Sequence, residues 1–467
     1  CRVMSDVKQK GSMQVNVQFL GAAGTVTGSK FYIDTPELKV LVDCGMFQGI
    51  KALRELNWHP LPIDVQGIDM VLLTHGHLDH TGYLPRLVGE GFRGQILGTS
   101  ATLAITEIIL RDSARIHEEE AEKANREGYS RHKPALPFYT LEEAERSLSL
   151  FRSVAEGQWI RASENIRFRF LYNGHIIGST FIELSINDRI LVFSGDLGRY
   201  RDLLLDPPKQ PDWADYLFIE STYGNKLHPD EEVEQQLTEL TRQVVHQGGN
   251  LLIPSFAVER LQSLMFLLWR LYKHNQIPNI PIVVDSPMGQ NVLEIFERFP
   301  ECHKLEMAEY HAMCSHVNLV SSYRETWEII DDPRSKVVIA GSGMVTGGRI
   351  LTYLRQLVSL PETQVLLVGY QAEGTRGRRL LEGEQEIKIF GKYNKVNAGI
   401  HHMQSLSAHA DQSDLLKWMG AIKNIPEGVF LIHGEPTALE GFQSKIRDTF
   451  GWEPQIPKLN QKVSLWV

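Results

Sequence analysis

The sequence has 467 residues, of which 42% are hydrophobic and 22% are charged, and this length predicts two or three domains with large apolar cores. No apolar run approaches the roughly 20 residues that a membrane-spanning helix needs, so a membrane partner is not expected. The formal net charge of −9 argues against a surface that binds nucleic acid over its whole extent. If the partner is a nucleic acid, the basic residues that bind it must be gathered in one cleft.

The cysteine pattern and the N-terminal segment give two further expectations. Four cysteines, at 1, 44, 302 and 314, show no paired spacing and are too few for a disulfide framework. This favours a reducing compartment and predicts a cytoplasmic protein. The polar segment 1–12 has no apolar core of a signal peptide, and we interpret it as an appended, unstructured leader.

Residues 13–224 are predicted to form a sheet-rich first domain. Short β-like runs alternate with Gly-rich turns, and two charged stretches with helical spacing, Ala101–Glu127 and Leu141–Ala155, are predicted to be surface helices. The predicted strands are Val15–Leu20, Lys39–Val42, Met70–Leu73, Gln95–Leu97, Ile166–Leu171, Phe181–Ile186, Ile190–Phe193 and Tyr216–Ile219.

Residues 225–395 change to a repeated order of strand, turn and helix. Apolar β-branched strands alternating with helices predict a parallel α/β sheet. The predicted strands are Asn250–Ile253, Ile282–Val284, Val337–Ala340 and Val365–Val368. The predicted helices are Val258–His274, Asn291–Phe299 and Arg349–Leu357. Residues 396–467 add a His-rich loop, a helix near Gln412–Lys423 and a strand at Val429–Ile432.

Five apolar strands end in a side chain that can bind a metal ion. Strand ends are rigid and meet at one edge of a sheet, so residues distant in sequence can point to one place. Alone, a histidine such as His175 or His433 would be interpreted as structural, and the strand-end setting favours a ligand role. The five residues are Asp43, His75, His175, Asp196 and His433.

The segment His75-Gly-His77-Leu-Asp79-His80 is the strongest metal-binding pattern. Imidazole and carboxylate are ligands that zinc prefers. In an extended or tightly turned loop, side chains two apart point the same way, so His75 and His77 can share one ion while Asp79 and His80 reach a second. A capped turn whose histidines only satisfy backbone groups is the competing interpretation. Four ligand-type residues in six positions disfavour it.

This segment makes the sequence resemble the metallo-β-lactamase superfamily. The HxHxDH signature is matched by His75–His80, and the later ligands by His175 and Asp196. The superfamily has an acidic residue at the end of the preceding strand, where this sequence has Asp43. The resemblance implies that Asp43 orients the ligands through hydrogen bonds.

The resemblance also implies two Zn²⁺ ions per chain, for which Mn²⁺ could substitute. The ligands of the first ion would be His75, His77 and His175. The ligands of the second would be Asp79, His80 and His433. Asp196 would bridge the two ions.

Three further motifs are similar to those of the β-CASP nucleases, which include RNase J and the endonuclease that cuts pre-mRNA before polyadenylation. They are Glu220–Gly224, Ser407–Asp411 and Leu431–Glu435. The resemblance covers nearly the whole chain and is to the compact bacterial type. It implies an α/β protein, an αββα metallo-β-lactamase sandwich with an inserted parallel α/β β-CASP domain at 225–395. Residues 396–467 would return to the first domain.

The implied activity is a zinc-dependent phosphodiesterase that hydrolyses RNA with a two-metal-activated hydroxide. Asp79, Glu220 and His409 are the predicted catalytic residues. Glu220 beside His409 would form a carboxylate–imidazole pair that lets His409 act as general acid. A helix or turn cap is the competing interpretation of Glu220.

Phosphate binding is predicted for turns of the inserted domain. Ser342 lies in a Gly-rich turn after a strand, where backbone amides and its hydroxyl could bind an anion. Arg378 and Arg379 supply positive charge in another such turn, and Ser255 and Arg260 flank a third. Parallel-sheet turns of this kind lie where ligands bind.

Two other functions compete with the ribonuclease. A small-molecule metallohydrolase, such as a thioesterase or lactonase, would share the HxHxDH chemistry but does not need the inserted domain. A non-catalytic RNA-binding subunit would not need intact ligands. The sequence leaves open the choice between endo- and 5′-exonucleolytic cutting, the RNA target, activity on DNA, and whether the chain forms a homodimer.

Overall fold

The computed structural model describes residues 13–128, 130, 132–230 and 232–467. The leader predicted at 1–12 lies outside these residues. Among the helices described, none has the length and apolar composition required to cross a membrane.

The first sheet has seven strands and contains the N-terminal residues described. They are β1 (Gln14–Phe19), β2 (Phe31–Asp34), β3 (Lys39–Val42), β4 (Met70–Leu72), β5 (Gln95–Gly98), β6 (Phe151–Ser153) and β21 (Lys462–Trp466). Their order is β21-β1-β2-β3-β4-β5-β6, with β3 to β6 parallel. The helix predicted over Leu141–Ala155 is wrong beyond Leu148, because Phe151–Ser153 pairs with β5 instead.

The second sheet has six strands and faces the first. They are β7 (Ile160–Arg161), β8 (Ile166–Tyr172), β9 (Thr180–Ile186), β10 (Arg189–Phe193), β11 (Tyr216–Glu220) and β20 (Gly428–Ile432). The order is β20-β11-β10-β9-β8-β7, so the C-terminal part returns to lie parallel to β11. Phenylalanines fill the space between the sheets, and Phe218 stacks between Phe193 and Phe430. These interior rings contribute large apolar surfaces to this core.

Helices cover the outer faces of both sheets. On the first sheet they are α3 (Leu84–Gly89), α4 (Ser100–Glu127) and α5 (Leu141–Leu148). The short helices α1 (Lys51–Leu56) and α2 (Leu78–Thr81) lie in the loops after β3 and β4. On the second they are α13 (Gln412–Met419) and α14 (Pro436–Phe450), which bury Trp418 and Phe442 against the sheet. The predicted αββα sandwich is confirmed.

The third sheet is wholly parallel, as predicted. Its strands are β12 (Asn250–Pro254), β13 (Ile282–Asp285), β14 (Asn318–Leu319), β15 (Lys336–Ala340), β16 (Gln364–Val368) and β19 (Gly399–Met403). Its order is β14-β13-β15-β12-β16-β19. Thus β19, which follows the predicted boundary at 395, still pairs with this sheet. Within this part a short hairpin joins β17 (Glu386–Ile389) to β18 (Lys392–Lys395).

Seven helices pack around the third sheet, and one of them, α7, also packs against the first domain. They are α6 (Val233–Gln247), α7 (Arg260–Lys273), α8 (Pro287–Arg298), α9 (Met307–His316), α10 (Tyr323–Asp331), α11 (Ile350–Leu357) and α12 (Arg376–Leu381). One apolar cluster includes Ile105 and Ile109 of α4, Leu205 of the first domain, and Leu261 and Leu264 of α7. We call this cluster the junction core, because it belongs to both domains.

Candidate active site

The loop after β4 carries four of the predicted ligands within a tight path. His75 and His77 follow the strand, and α2 begins at Leu78, so that Asp79 and His80 lie on its first turn. The backbone of Gly45 passes so close to this turn that a Cβ there would lie 1.6 Å from the carbonyl oxygen of Asp79. A residue with a side chain at position 45 would therefore displace the ligand loop.

The first group of ligand atoms contains three imidazoles and one carboxylate. His77 Nδ1 lies 3.1 Å from His75 Nε2 and 3.2 Å from His175 Nε2. Asp196 Oδ2 lies 3.6 Å from His75 Nε2 and 3.7 Å from His175 Nε2. All four atoms therefore surround one small space.

The second group shares Asp196 with the first. His433 Nε2 lies 3.2 Å from both His80 Nε2 and Asp79 Oδ2. Asp196 Oδ1 lies 3.3 Å from His80 Nε2 and 3.5 Å from His433 Nε2. The structure thus brings all seven predicted ligands together, with one oxygen of Asp196 facing each group.

These groups fit zinc ions. Four tetrahedral ligands, each about 2.0–2.1 Å from one ion, lie roughly 3.3 Å from one another, and the observed separations agree. Asp196 Oδ1 is buried and accepts no hydrogen bond from any residue that the structure describes. Burial also lowers the pKa of His75 and His175 well below the usual value for histidine, which favours the neutral form that binds metal.

Asp43 fixes two of the ligand rings from behind. Its Oδ2 accepts hydrogen bonds from His80 Nδ1 at 2.7 Å and from the Thr74 hydroxyl at 2.8 Å, and its Oδ1 accepts one from the Thr74 amide at 2.8 Å. The Thr74 hydroxyl oxygen lies 3.1 Å from His75 Nδ1 and can accept a hydrogen bond from that ring nitrogen. Asp43 adopts a left-handed φ of 58°, a strained conformation that these bonds offset.

Two of the three remaining ligand histidines, His175 and His433, are held in the same manner. His175 Nδ1 lies 3.2 Å from the carbonyl oxygen of Ala408. His433 Nδ1 lies 3.2 Å from the Thr222 oxygen, whose hydroxyl can donate to the His433 carbonyl at 3.3 Å. Each arrangement places the ring proton away from the ligand group and leaves Nε2 free to bind an ion.

Replacing Asp43 with asparagine is expected to weaken metal binding by about 10- to 100-fold, because His80 loses the charged partner that orients it. Zinc retention during titration with a chelator measures this effect. Asp34→Asn is the matched control, because Asp34 lies opposite Lys39 in the β2–β3 register, at the other end of β3 from Asp43. Equal zinc retention in the two variants would contradict the role assigned to Asp43.

His409 lies beside the ligand groups and pairs with Glu220. Its Nδ1 is 3.2 Å from Glu220 Oε1, and its Nε2 is 4.0 Å from Asp196 Oδ2. Burial lowers the pKa of His409, but the carboxylates of Glu220 and Asp196 outweigh this effect and raise it above the usual value. The fully buried Glu220 also accepts hydrogen bonds from the Leu197 and Thr222 amides, so it has the capping contacts of the competing interpretation as well.

Sequence reasoning missed several residues that support this site. Thr74 and Thr222 orient ligand histidines, and His228 donates from Nε2 to the His409 carbonyl at 2.8 Å. The His228 amide in turn donates to Asp411. The position of Thr74 just before the His75–His80 segment was the available signal, whereas nothing in the sequence indicated His228.

The residues predicted to bind phosphate differ in their hydrogen bonds and in their exposure. The Ser342 hydroxyl accepts hydrogen bonds from two amides of its own loop, and Ser255 donates to the carbonyl of Phe256. The buried Arg260 guanidinium lies near Gly369, and its Nε has no hydrogen-bond partner among the described residues. Arg378 and Arg379 are half exposed on α12, where each faces a glutamate.

Sequence comparison matches most of the chain to known protein families. Residues 24–226 match the sequence profile described as the metallo-beta-lactamase superfamily, 261–380 the Beta-Casp domain, and 393–457 the Zn-dependent metallo-hydrolase RNA specificity domain. Ribonuclease TTHA0252 of Thermus thermophilus is 35% identical over 427 residues, which cover 90% of this chain and 93% of that protein. The chain belongs to the β-CASP family of the metallo-β-lactamase superfamily.

One further relative and one solved structure extend this comparison. Transcription termination factor FttA of Methanocaldococcus jannaschii is 29% identical over 474 residues, which cover 98% of this chain and 72% of that protein. The crystal structure of a protein of unknown function from Enterococcus faecalis V583 aligns with 97% of this chain and 100% of its own. Its TM-score is 0.54 at 13% sequence identity, which shows a shared fold alone.

Proposed function

We propose that this chain is a metal-dependent ribonuclease, a phosphodiesterase that hydrolyses RNA with two zinc ions. The observation that carries the proposal is the seven-residue ligand set beside the His409–Glu220 pair. The RNA specificity domain matched at 393–457 and the relative named as a ribonuclease support RNA as the substrate.

The metal part of the proposal assigns the ligands as the geometry groups them. His75, His77 and His175 would hold one zinc ion, Asp79, His80 and His433 the other, and Asp196 both. Such ions, when bound, activate water and neutralise the charge that develops on the scissile phosphate. Manganese could substitute for zinc in this mixed imidazole and carboxylate set.

The cysteines at 1, 44, 302 and 314 show no paired spacing in the sequence, which supports a cytoplasmic location.

His409 is proposed to supply the proton that the leaving oxygen needs. Glu220 holds Nδ1 of the ring, so the Nε2 proton points toward the space beside Asp196. The Leu197 and Thr222 amides fix the Glu220 carboxylate, and His228 fixes the His409 backbone. The imidazole is therefore oriented before substrate binds, as general acid catalysis requires.

The competing functions fit fewer of these observations. A thioesterase or lactonase would need the ligand groups but has no evident use for the third sheet. A non-catalytic RNA-binding subunit would have no use for an intact ligand set. Purified protein can be assayed for zinc content and for hydrolysis of RNA, bis-p-nitrophenyl phosphate and an acyl thioester. Zinc-loaded protein that cleaves thioesters but neither phosphodiester would overturn the proposal.

Charge reversal at Arg378 and Arg379 is expected to weaken RNA binding and to flatten its dependence on salt. With fewer phosphate contacts, RNA binding releases fewer counterions, and the salt dependence follows that number. Zinc content should not change. RNA binding measured by fluorescence anisotropy across a range of salt concentrations provides the test.

Arg334→Glu is the matched control for this pair. Arg334 is also exposed and faces an acidic residue, but it precedes β15 and so lies at the opposite edge of the third sheet. If the double variant and the control bind RNA with the same affinity and salt dependence, the substrate cleft lies elsewhere.

A further inference from the structure

The loops at the carboxyl edge of the third sheet form a line that starts at the active site. The strand order is β19, β16, β12, β15, β13 and β14 when counted from the catalytic end, because β19 leads directly to the segment that contains His409. Since all the strands are parallel, every one of these loops lies at the same edge. The line spans five strand spacings of about 4.8 Å, or about 24 Å.

An aromatic side chain bound to an arginine lies at the far end of this line. Tyr323, the first residue of α10, has 58% of its surface exposed. The Arg349 guanidinium carbon lies 3.6 Å from the centre of its ring. The same guanidinium donates to the Thr326 hydroxyl at 2.8 Å and faces Asp285, the last residue of β13. The arginine therefore holds one face of the ring and leaves the other open.

A second exposed aromatic residue continues this surface. Trp327 follows Tyr323 by four residues on α10, so both side chains lie on one face of the helix, and Trp327 is 42% exposed. We call Tyr323, Trp327 and Arg349 the stacking platform. Exposed aromatic residues beside a fixed positive charge are the combination that binds the bases and backbone of single-stranded nucleic acid.

Phe256 provides an intermediate position along the line. It follows β12 and is 36% exposed. Its ring lies against Gly343, where a Cβ would approach the ring to 2.5 Å. A glycine at this position lets the ring rest on the backbone of the neighbouring loop. The edge therefore presents aromatic surface at β12 and again beyond β13.

We propose that the stacking platform binds a base of the RNA strand whose scissile phosphate lies beside His409. The proposal rests on the ribonuclease function and adds a binding position toward the far end of a loop edge that spans about 24 Å from β19 to β14. Arg349 holds one face of the Tyr323 ring, and the open face stacks on any base. Binding of this type tolerates different sequences because every base offers a π face.

Steady-state cleavage of RNA of different lengths tests this position. A dinucleotide cannot span the edge, whereas an RNA of about twelve nucleotides can. Tyr323→Ala is expected to raise KM for the longer RNA about tenfold, the usual effect of losing one stacked base, without changing kcat. It should leave dinucleotide and bis-p-nitrophenyl phosphate hydrolysis unchanged. Tyr323→Phe keeps the ring and should restore KM.

Tyr393→Ala is the matched control, because Tyr393 is 69% exposed on β18 and its ring also lies near a cation, Lys388. Equal KM values for Tyr323→Ala and Tyr393→Ala on the longer RNA would overturn the stacking platform, as would an equal rise in KM for the dinucleotide. An absence of RNA cleavage by the unaltered protein would instead refute the ribonuclease function. Unchanged RNA kinetics would also favour a protein partner for this surface.

Discussion

Replacing Asp196 with alanine is expected to remove bound metal from both sites and to reduce phosphodiester hydrolysis on the order of 10³-fold or more. One of its oxygens faces each ligand group, so both groups lose a ligand in a single substitution. Metal ions supply several kcal/mol of transition-state stabilisation, and each 1.36 kcal/mol corresponds to a factor of ten in rate. Zinc content by elemental analysis, measured together with the hydrolysis rate, tests the prediction.

Loss of zinc and activity could also follow from destabilisation of the fold. A substitution at a buried aspartate outside the site controls for this effect. Asp215 is buried, accepts a hydrogen bond from the Ile190 amide and pairs with Arg189 at the other end of β10 and β11. Asp215→Ala should lower the free energy of unfolding yet keep zinc. An Asp196→Ala protein that retains two equivalents of zinc and full activity would refute the shared-ligand assignment.

His409→Ala should keep both metal ions and the fold but lose roughly 10²- to 10⁴-fold in rate on RNA, the usual contribution of general acid catalysis. The loss should be much smaller on bis-p-nitrophenyl phosphate, because p-nitrophenolate leaves without a proton. Glu220→Gln should show the same substrate dependence in milder form, since it disturbs the orientation of the ring without removing it.

The measured rates on the two substrates also distinguish a second role for His409. Ligand-type atoms of His409, Glu220 and Asp196 lie within 4.8 Å of one another, so His409 has the surroundings of a metal ligand as well. If it binds metal, His409→Ala should lose zinc and should lose activity equally on RNA and on the p-nitrophenyl ester. That outcome would make the general acid assignment wrong.

The sequence predicted the parts of the fold and site that depend on local pattern. Strands such as β3 and β9 are visible as apolar runs, and the ligands stand where those runs end. The strand Phe31–Asp34 was missed, because it is short and only its pairing with β1 and β3 defines it. Helix α10 was also missed, because its exposed aromatic residues obscure the helical pattern.

Contacts between distant segments were beyond the reach of sequence reasoning. His175 is oriented by a backbone carbonyl, that of Ala408, and any residue type could provide this group. The Ser342 hydroxyl was predicted to face an anion, but its own loop supplies two amide donors. Such local hydrogen bonding is characteristic of serine in turns and competes with ligand binding.

The junction core ties the folding of the two domains together. Ile105 and Ile109 of α4 pack in the same cluster as Leu261 and Leu264 of α7, all of them buried. Unfolding either domain alone would expose the apolar surface of the other, at about 25 cal/mol for each Å² uncovered. The two domains should therefore melt in one cooperative transition. An excised segment 225–395 would carry its half of that core into water and would be prone to aggregate.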